Sequence, residues 1–207
     1  MYKSFFKPLI DVVLSLVGCV VLLLFCLLIA ILIKLDSKGP VLFRQKRIGK
    51  GKREFYILKF RTMRTDTPSD MPTHLLDNPE AYITRIGKFL RKTSLDELPQ
   101  IFNILKGDMS IIGPRPALWN QYDLIAERDK YGANDIKPGL TGYAQINGRD
   151  ELPIDVKAKL DGEYVQRMSF WFDVKMFFGT IVSVLKSDGV VEGGTGNTDA
   201  KKEPSQQ

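Results

Sequence analysis

Histidine and cysteine are scarce: the 207 residues hold one His and two Cys. The lone histidine, His74, lies in a polar, proline-containing stretch, so a histidine-based triad or a zinc site is set aside. Cys19 and Cys26 both fall inside one apolar run and read as small hydrophobes. They supply neither a disulfide framework nor metal-ligand spacing. There is no internal repeat. The aromatics are not interleaved with basic residues as stacking platforms would be, which argues against nucleic acid as a partner. The apolar run exceeds a signal-peptide core and no small-residue cleavage site follows it, so a cleaved leader is set aside too.

What the chain does hold starts with positive charge. The formal net charge is +6, a balance that suits an anionic membrane surface or phosphorylated substrates. The length allows one domain plus an anchor. Val12 to Ile33 is almost wholly apolar, and about 20 such residues cross a bilayer. Lys34, Lys38, Arg44, Lys46 and Arg47 follow, and by the positive-inside rule that flank is cytoplasmic. A full span places the N-terminus outside; a helix that enters and returns keeps both ends inside. Asp11, at the membrane edge, needs a partner if buried.

The expected class is α+β, in three segments: a membrane-embedded anchor helix over residues 1–36, a compact cytoplasmic catalytic domain over 37–190, and a disordered tail over 191–207. Val41–Phe43 and Glu54–Phe60 read as strands of a hairpin around Gly49–Lys52. Lys59 and Arg61 flank Phe60 and are expected on one face. Thr65–Pro79 reads as a surface loop able to cover a site. Ala117–Lys130 and Ile154–Met168 read as helices, and Lys137–Arg149 as a turn, a short strand and a second turn. The crowded aromatics of Ser169–Leu185 are expected to pack on the anchor or lie in the membrane interface.

The chemistry concentrates between Arg85 and Pro116. Asp96 and Glu97 are adjacent carboxylates set between a basic segment and an arginine-bearing turn. Ser94, three residues before Glu97, matches a capping box and predicts a helix start that puts both carboxylates at a positive helix end. Acidic residues at a helix start also serve capping alone, so the neighbours decide. Arg85, Lys88 and Arg91 recur on one helical face, with Ile86, Phe89 and Leu90 on the other. In Gly113-Pro114-Arg115-Pro116 two prolines restrict the backbone on both sides of Arg115. A turn needs no guanidinium there, but a fork that meets a phosphate benefits from being held still. Together these residues equip the chain for chemistry on a phosphate ester.

Five motifs occur in order behind the anchor: Lys59-Phe-Arg-Thr-Met, Ser94-Leu-Asp-Glu-Leu-Pro-Gln, Lys106-Gly-Asp-Met-Ser, Gly113-Pro-Arg-Pro, and Pro138-Gly-Leu-Thr-Gly with Gln145-Ile-Asn-Gly-Arg149. They resemble the bacterial sugar transferase family, small monotopic phosphoglycosyl transferases that start surface-glycan assembly, here of the capsule or glycoprotein type. The resemblance runs to about Gly189. It implies that Asp96 attacks a UDP-sugar to form a phosphosugar-aspartate and release UMP, and that undecaprenyl phosphate then takes the sugar phosphate. It implies Mg2+ with Asp96 and Glu97 as ligands, Glu97 serving as second carboxylate or base. Arg91 and Arg115 match phosphate-holding positions; Lys59, Asp108 and Arg149 match further substrate-binding positions. The implied partners are UDP-sugar, undecaprenyl phosphate and membrane lipids, at a bacterial inner membrane with the catalytic domain on its cytoplasmic face. The implied sugar is an N-acetylated 6-deoxy amino sugar.

One departure stands out. The family's membrane segment often carries a helix-breaking Ser-Pro pair, whereas the middle here reads Leu22-Leu-Leu-Phe25, with Gly18 the nearest weak point. A re-entrant anchor therefore rests on the resemblance, and a single span stays open. Two other readings stand beside the transferase: a membrane-anchored, magnesium-dependent phosphohydrolase using Asp96, and a non-enzymatic basic membrane scaffold.

Overall fold

The computed structural model describes residues 1–67, 78–148 and 152–186. His74, Arg149, most of the Thr65–Pro79 loop and the 191–207 tail lie outside those residues.

Helix α1 (Lys7–Asp36) follows a π-helical turn at Tyr2–Phe6. Its one proline, Pro8, sits in the first turn, where no intrahelical donor is lost. The helix ends at Ser37, in extended backbone, whose N–H caps the Ile33 carbonyl. It is long and apolar enough to cross a membrane by length and composition. It is also one uninterrupted helix, so the break that a re-entrant course needs is not present at Gly18 or elsewhere in it. Leu24 is 78% exposed and Leu35 80%. Lys7, Asp11, Ser15, Ile29 and Ile33 instead form a buried stripe facing the rest of the chain.

That stripe is latched at both ends. Lys7 Nζ donates to Asp173 Oδ2 at 2.8 Å. Asp11 finds the partner its burial requires: it accepts from Ser110 Oγ (2.7 Å) and from the Ile111 N–H (3.1 Å). At the far end the Ile86 N–H donates to Asp36 Oδ2 at 3.1 Å. Between them, Ile29 and Ile33 pack on Phe60 and Leu90.

Strands β1 (Leu42–Ile48) and β2 (Glu54–Phe60) form the expected hairpin, paired antiparallel with Phe43 opposite Lys59 and Arg47 opposite Phe55. Strand β1 runs past Phe43 because its charged residues alternate faces like any strand's. Arg61 does not share a face with Lys59. It lies past the end of β2 and turns back to Ser37 and Pro40, donating to the Pro40 carbonyl at 2.6 Å and the Ser37 carbonyl at 2.9 Å.

Helix α2 (Arg85–Lys92) starts at Thr84, whose Oγ1 accepts from the Gly87 N–H at 3.0 Å. Gly87 is needed for close approach: a Cβ there would stand 2.0 Å from the Thr62 carbonyl oxygen. Leu90 is buried as expected, but Phe89 is 57% exposed, because α2 buries only a narrow stripe.

The predicted capping box is absent. Ser94 makes no side-chain cap bond and sits in the left-handed region at φ 56°. Leu95–Glu97 forms a single 3-10 turn, and helix α3 (Gln100–Lys106) begins only after Pro99. Proline excludes itself from the helix interior, so the start moves downstream of the carboxylates.

Strand β3 (Ser110–Ile112) pairs in parallel with β4 (Gly139–Thr141), in register Ser110 to Gly139 and Ile112 to Thr141. A parallel pair needs a crossover, and helix α4 (Tyr122–Asp129) lies in it. This helix is shorter than Ala117–Lys130 because Ala117 and Leu118 are buried in extended backbone against the hairpin, with Ile48 N–H on the Ala117 carbonyl. After β4 the second expected turn is instead a short helix, α5 (Tyr143–Ile146). Gly142 begins it, and a Cβ there would stand 2.0 Å from the Gly113 carbonyl oxygen. Helices α6 (Ile154–Arg167) and α7 (Phe170–Lys186) close the fold. Tyr164, Met168, Phe172 and Met176 pack on Ile112, while Trp171 is 77% exposed on the outer face of α7.

Candidate active site

The site is assembled by three devices. First, Asn103 on α3 substitutes for a missing strand along β2. Its Oδ1 accepts from the Leu58 N–H (2.9 Å) and its Nδ2 donates to the Tyr56 carbonyl (2.8 Å). Both edge groups are thus paired, and the neighbouring Lys59 is set over the turn that precedes α3. Second, the close approach of α2 at Gly87 seats Arg91, whose Nε donates to Thr62 Oγ1 at 3.0 Å and whose Nη2 lies 3.4 Å from Met63 Sδ. Third, the segment after β3 carries Arg115 between its two prolines.

Lys59, Asp96, Glu97 and Arg115 meet. Lys59 Nζ donates to Glu97 Oε1 at 2.7 Å, and Arg115 Nη2 donates to the same oxygen at 3.0 Å. Lys59 Nζ lies 3.9 Å from Asp96 Oδ2, an ion pair beyond hydrogen-bond reach. The side chains of Asp96 and Glu97 are 12% and 17% exposed. The adjacent carboxylates therefore have different surroundings. Burial pushes the Asp96 carboxyl up; the charge of Lys59 opposes this and the charge of Glu97 adds to it. Burial alone would raise Glu97 as well, but Arg115 and Lys59 outweigh it and hold Glu97 well below the usual carboxylate range. Arg91 contributes positive charge to Asp96 while bonded to Thr62 and Met63.

Of the other expected site residues, one makes no bond to this group and one cannot be placed among the described residues. Asp108 follows α3 and faces Lys106 Nζ at 3.2 Å, outside hydrogen-bonding angles. Arg149 lies outside the described residues. Conversely, Arg47 enters the site's frame. On β1 it shares a face with Lys59, and its Nη1 donates to the Pro116 carbonyl at 3.0 Å while Nη2 donates to Gln45 Oε1 at 2.6 Å. The period-2 alternation opposite Lys59 signalled it. Among the described residues no group of three or more His, Cys, Asp or Glu forms a metal cluster. Two adjacent carboxylates are still the hard oxygen donors that suit magnesium when substrate phosphates and water complete the shell.

An apolar helix is latched along an α+β domain that gathers two carboxylates and three cations. The chain belongs to the bacterial sugar transferase family, whose model matches residues 2–187. It is 42% identical over 186 residues to the UDP-glucose:undecaprenyl-phosphate glucose-1-phosphate transferase of Xanthomonas campestris pv. campestris, covering 86% of this chain and 38% of that protein. It is 41% identical over 166 residues to the UDP-N-acetylgalactosamine-undecaprenyl-phosphate N-acetylgalactosaminephosphotransferase of Aeromonas hydrophila, covering 77% and 39%. It is also 41% identical over 158 residues to an uncharacterized sugar transferase, EpsL, of Bacillus subtilis, covering 76% of each chain. The chain thus spans about two fifths of the length of the two relatives named for a substrate.

Proposed function

We propose that this protein transfers a sugar-1-phosphate from a UDP-sugar to undecaprenyl phosphate at the inner membrane. The relatives' names support the overall reaction. The observation that carries the division of labour is the unequal pair: Glu97 is bonded to both Lys59 and Arg115, while Asp96 meets Lys59 only at 3.9 Å. Asp96 is the nucleophile. Its oxygen forms a bond to the sugar-bearing phosphorus as the bond from that phosphorus to the bridging oxygen breaks, and UMP departs with that oxygen. Undecaprenyl phosphate then attacks the same phosphorus, giving the diphosphate-linked sugar and returning the Asp96 carboxylate. Glu97 orients Lys59 and Arg115, and these with Arg91 meet the phosphate charge. Asp96 and Glu97 would hold magnesium, which when bound neutralises phosphate charge.

Both ends of α1 are bonded to the domain that carries the site, at Lys7 and Asp36. That supports an unbroken helix lying along one face of the bilayer rather than crossing or re-entering it, the cytoplasmic face by the basic flank. For the sugar, the resemblance favours an N-acetylated 6-deoxy amino sugar. Relatives named for glucose and for N-acetylgalactosamine match almost equally well, at 42% and 41%, so a donor panel must contain all three classes.

The test is UMP release from detergent-purified protein with magnesium, undecaprenyl phosphate and that panel. UMP with one donor class, a lipid-linked product, and loss of both in Asp96→Asn are expected. Free sugar phosphate without lipid-linked product would favour the phosphohydrolase; full activity in Asp96→Asn would remove Asp96 from the reaction.

A further inference from the structure

The turn that carries Arg115 is held by its carbonyls. The Gly139 N–H donates to the Pro114 carbonyl at 2.8 Å and the Ile48 N–H to the Ala117 carbonyl at 2.9 Å. Between them the acceptors are met by guanidinium groups: Arg128 Nη1 on the Arg115 carbonyl at 2.9 Å, and Arg47 Nη1 on the Pro116 carbonyl at 3.0 Å. Four consecutive carbonyls are thus engaged by three elements: β4 holds the first, α4 the second, and β1 the last two. Prolines supply no N–H through which such a turn could be held.

Arg128 is unusual among these partners. It sits on α4 and is 3% exposed. Its Nε and Nη2 both reach Asp161 Oδ2 on α6, at 2.8 and 2.6 Å, and Asp161 is 1% exposed. A buried ion pair is poor evidence of stabilisation, since well-packed apolar residues serve as well or better. A guanidinium has one further use here: its planar fork has an arm left for Nη1, and that arm is spent on the backbone of the residue whose side chain reaches Glu97. The flanking prolines restrict Arg115 to extended backbone but leave its ψ tens of degrees of freedom. A charged donor fixed on the Arg115 carbonyl narrows that range.

We propose that Arg128, locked by Asp161, is a positioning residue that aims the Arg115 guanidinium at the reacting phosphate. The inference rests on the reading of Arg115 as a phosphate-binding group. Arg128 touches no substrate; it acts through the Arg115 backbone. Displacements on the order of 1 Å at a site cost about a hundredfold in rate, so a loss between tenfold and a hundredfold is expected when the fork is replaced by a point charge.

The experiment is a double-mutant cycle on UMP release, with kcat and KM for the donor read for Arg115→Lys, Arg128→Lys and the pair, and a thermal transition recorded for each. Arg128→Lys is expected to lower kcat/KM at least tenfold alone and less than twofold in the Arg115→Lys background, because the residue it positions is already compromised. Equal losses in the two backgrounds, or no loss alone, would overturn the proposal. Should Arg128→Lys lose its thermal transition, Asp161→Asn, which keeps an acceptor for the fork, is read through the same cycle by the same criteria. If Arg115→Lys itself costs nothing, the reading of Arg115 fails and this inference falls with it, a result distinct from additive losses.

Discussion

Lys59 and Arg115 converge on a single oxygen, Glu97 Oε1, at 2.7 and 3.0 Å. One arrives from a strand and the other from a proline-braced turn. The carboxylate joins the two elements. Removing its charge should therefore disorganise both cations at once.

Glu97→Gln is expected to lower kcat for UMP release by about 10²–10³-fold, the scale seen when preorganised charge stabilisation is lost. The thermal transition should survive. Activity within twofold of wild type would show that Lys59 and Arg115 hold their places without Glu97.

Asp11→Ala leaves the Ile111 N–H without its partner and removes the Ser110 bond to the anchor. The expected loss of stability is about 1–3 kcal/mol, read as a lower thermal midpoint in detergent. An unchanged midpoint would mean that the Asp11 bonds do not help to seat the anchor.

The Tyr164 hydroxyl lies 2.7 Å from Asp173 Oδ1. Burial, with Asp173 adding to it, raises its pKa far above the ordinary 10. The unfolded chain then releases this proton first as pH rises, so Tyr164 contributes stability fully present below pH 10 and progressively lost above it. The thermal midpoint should fall above pH 10, and fall less steeply in Tyr164→Phe. Identical slopes would remove Tyr164 from the linkage.

Gly87→Ala pushes a methyl group into the Thr62 carbonyl. Overpacking typically costs about 1–3 kcal/mol; backbone is rigid, so the upper part of that range is expected. Because Arg91 rides on the same helix, KM for the donor should rise along with the loss of stability. A midpoint equal to wild type would show that α2 shifts freely.

The parts of this molecule legible from sequence were those written in a local period or a special residue. The apolar run gave α1, the hairpin was flagged by alternation around a glycine loop, and the prolines announced a held Arg115. Lys59 stands in a motif of the family resemblance, and it meets Arg115 at Glu97. The capping box failed because Pro99 outweighed Ser94. Arg128 and Asp161 do not stand out in the sequence, because a charged residue on a helix is ordinarily solvated. Their signal was positional: Arg128 occupies the same buried face as Leu124, and Asp161 lies in line with Ala158 and Tyr164. Asp11 needs a partner at the membrane edge, but Ser110 is 99 residues away, and no local pattern encodes a pairing at that separation.

The latches at Lys7, Asp11 and Asp36 also have a mechanical meaning. A domain bonded at several points along its anchor moves with it as one body. Here a tilt of α1 carries the Asp96–Glu97 turn with it, so the angle at which the helix rests on the membrane would set the height and angle of the site above that surface.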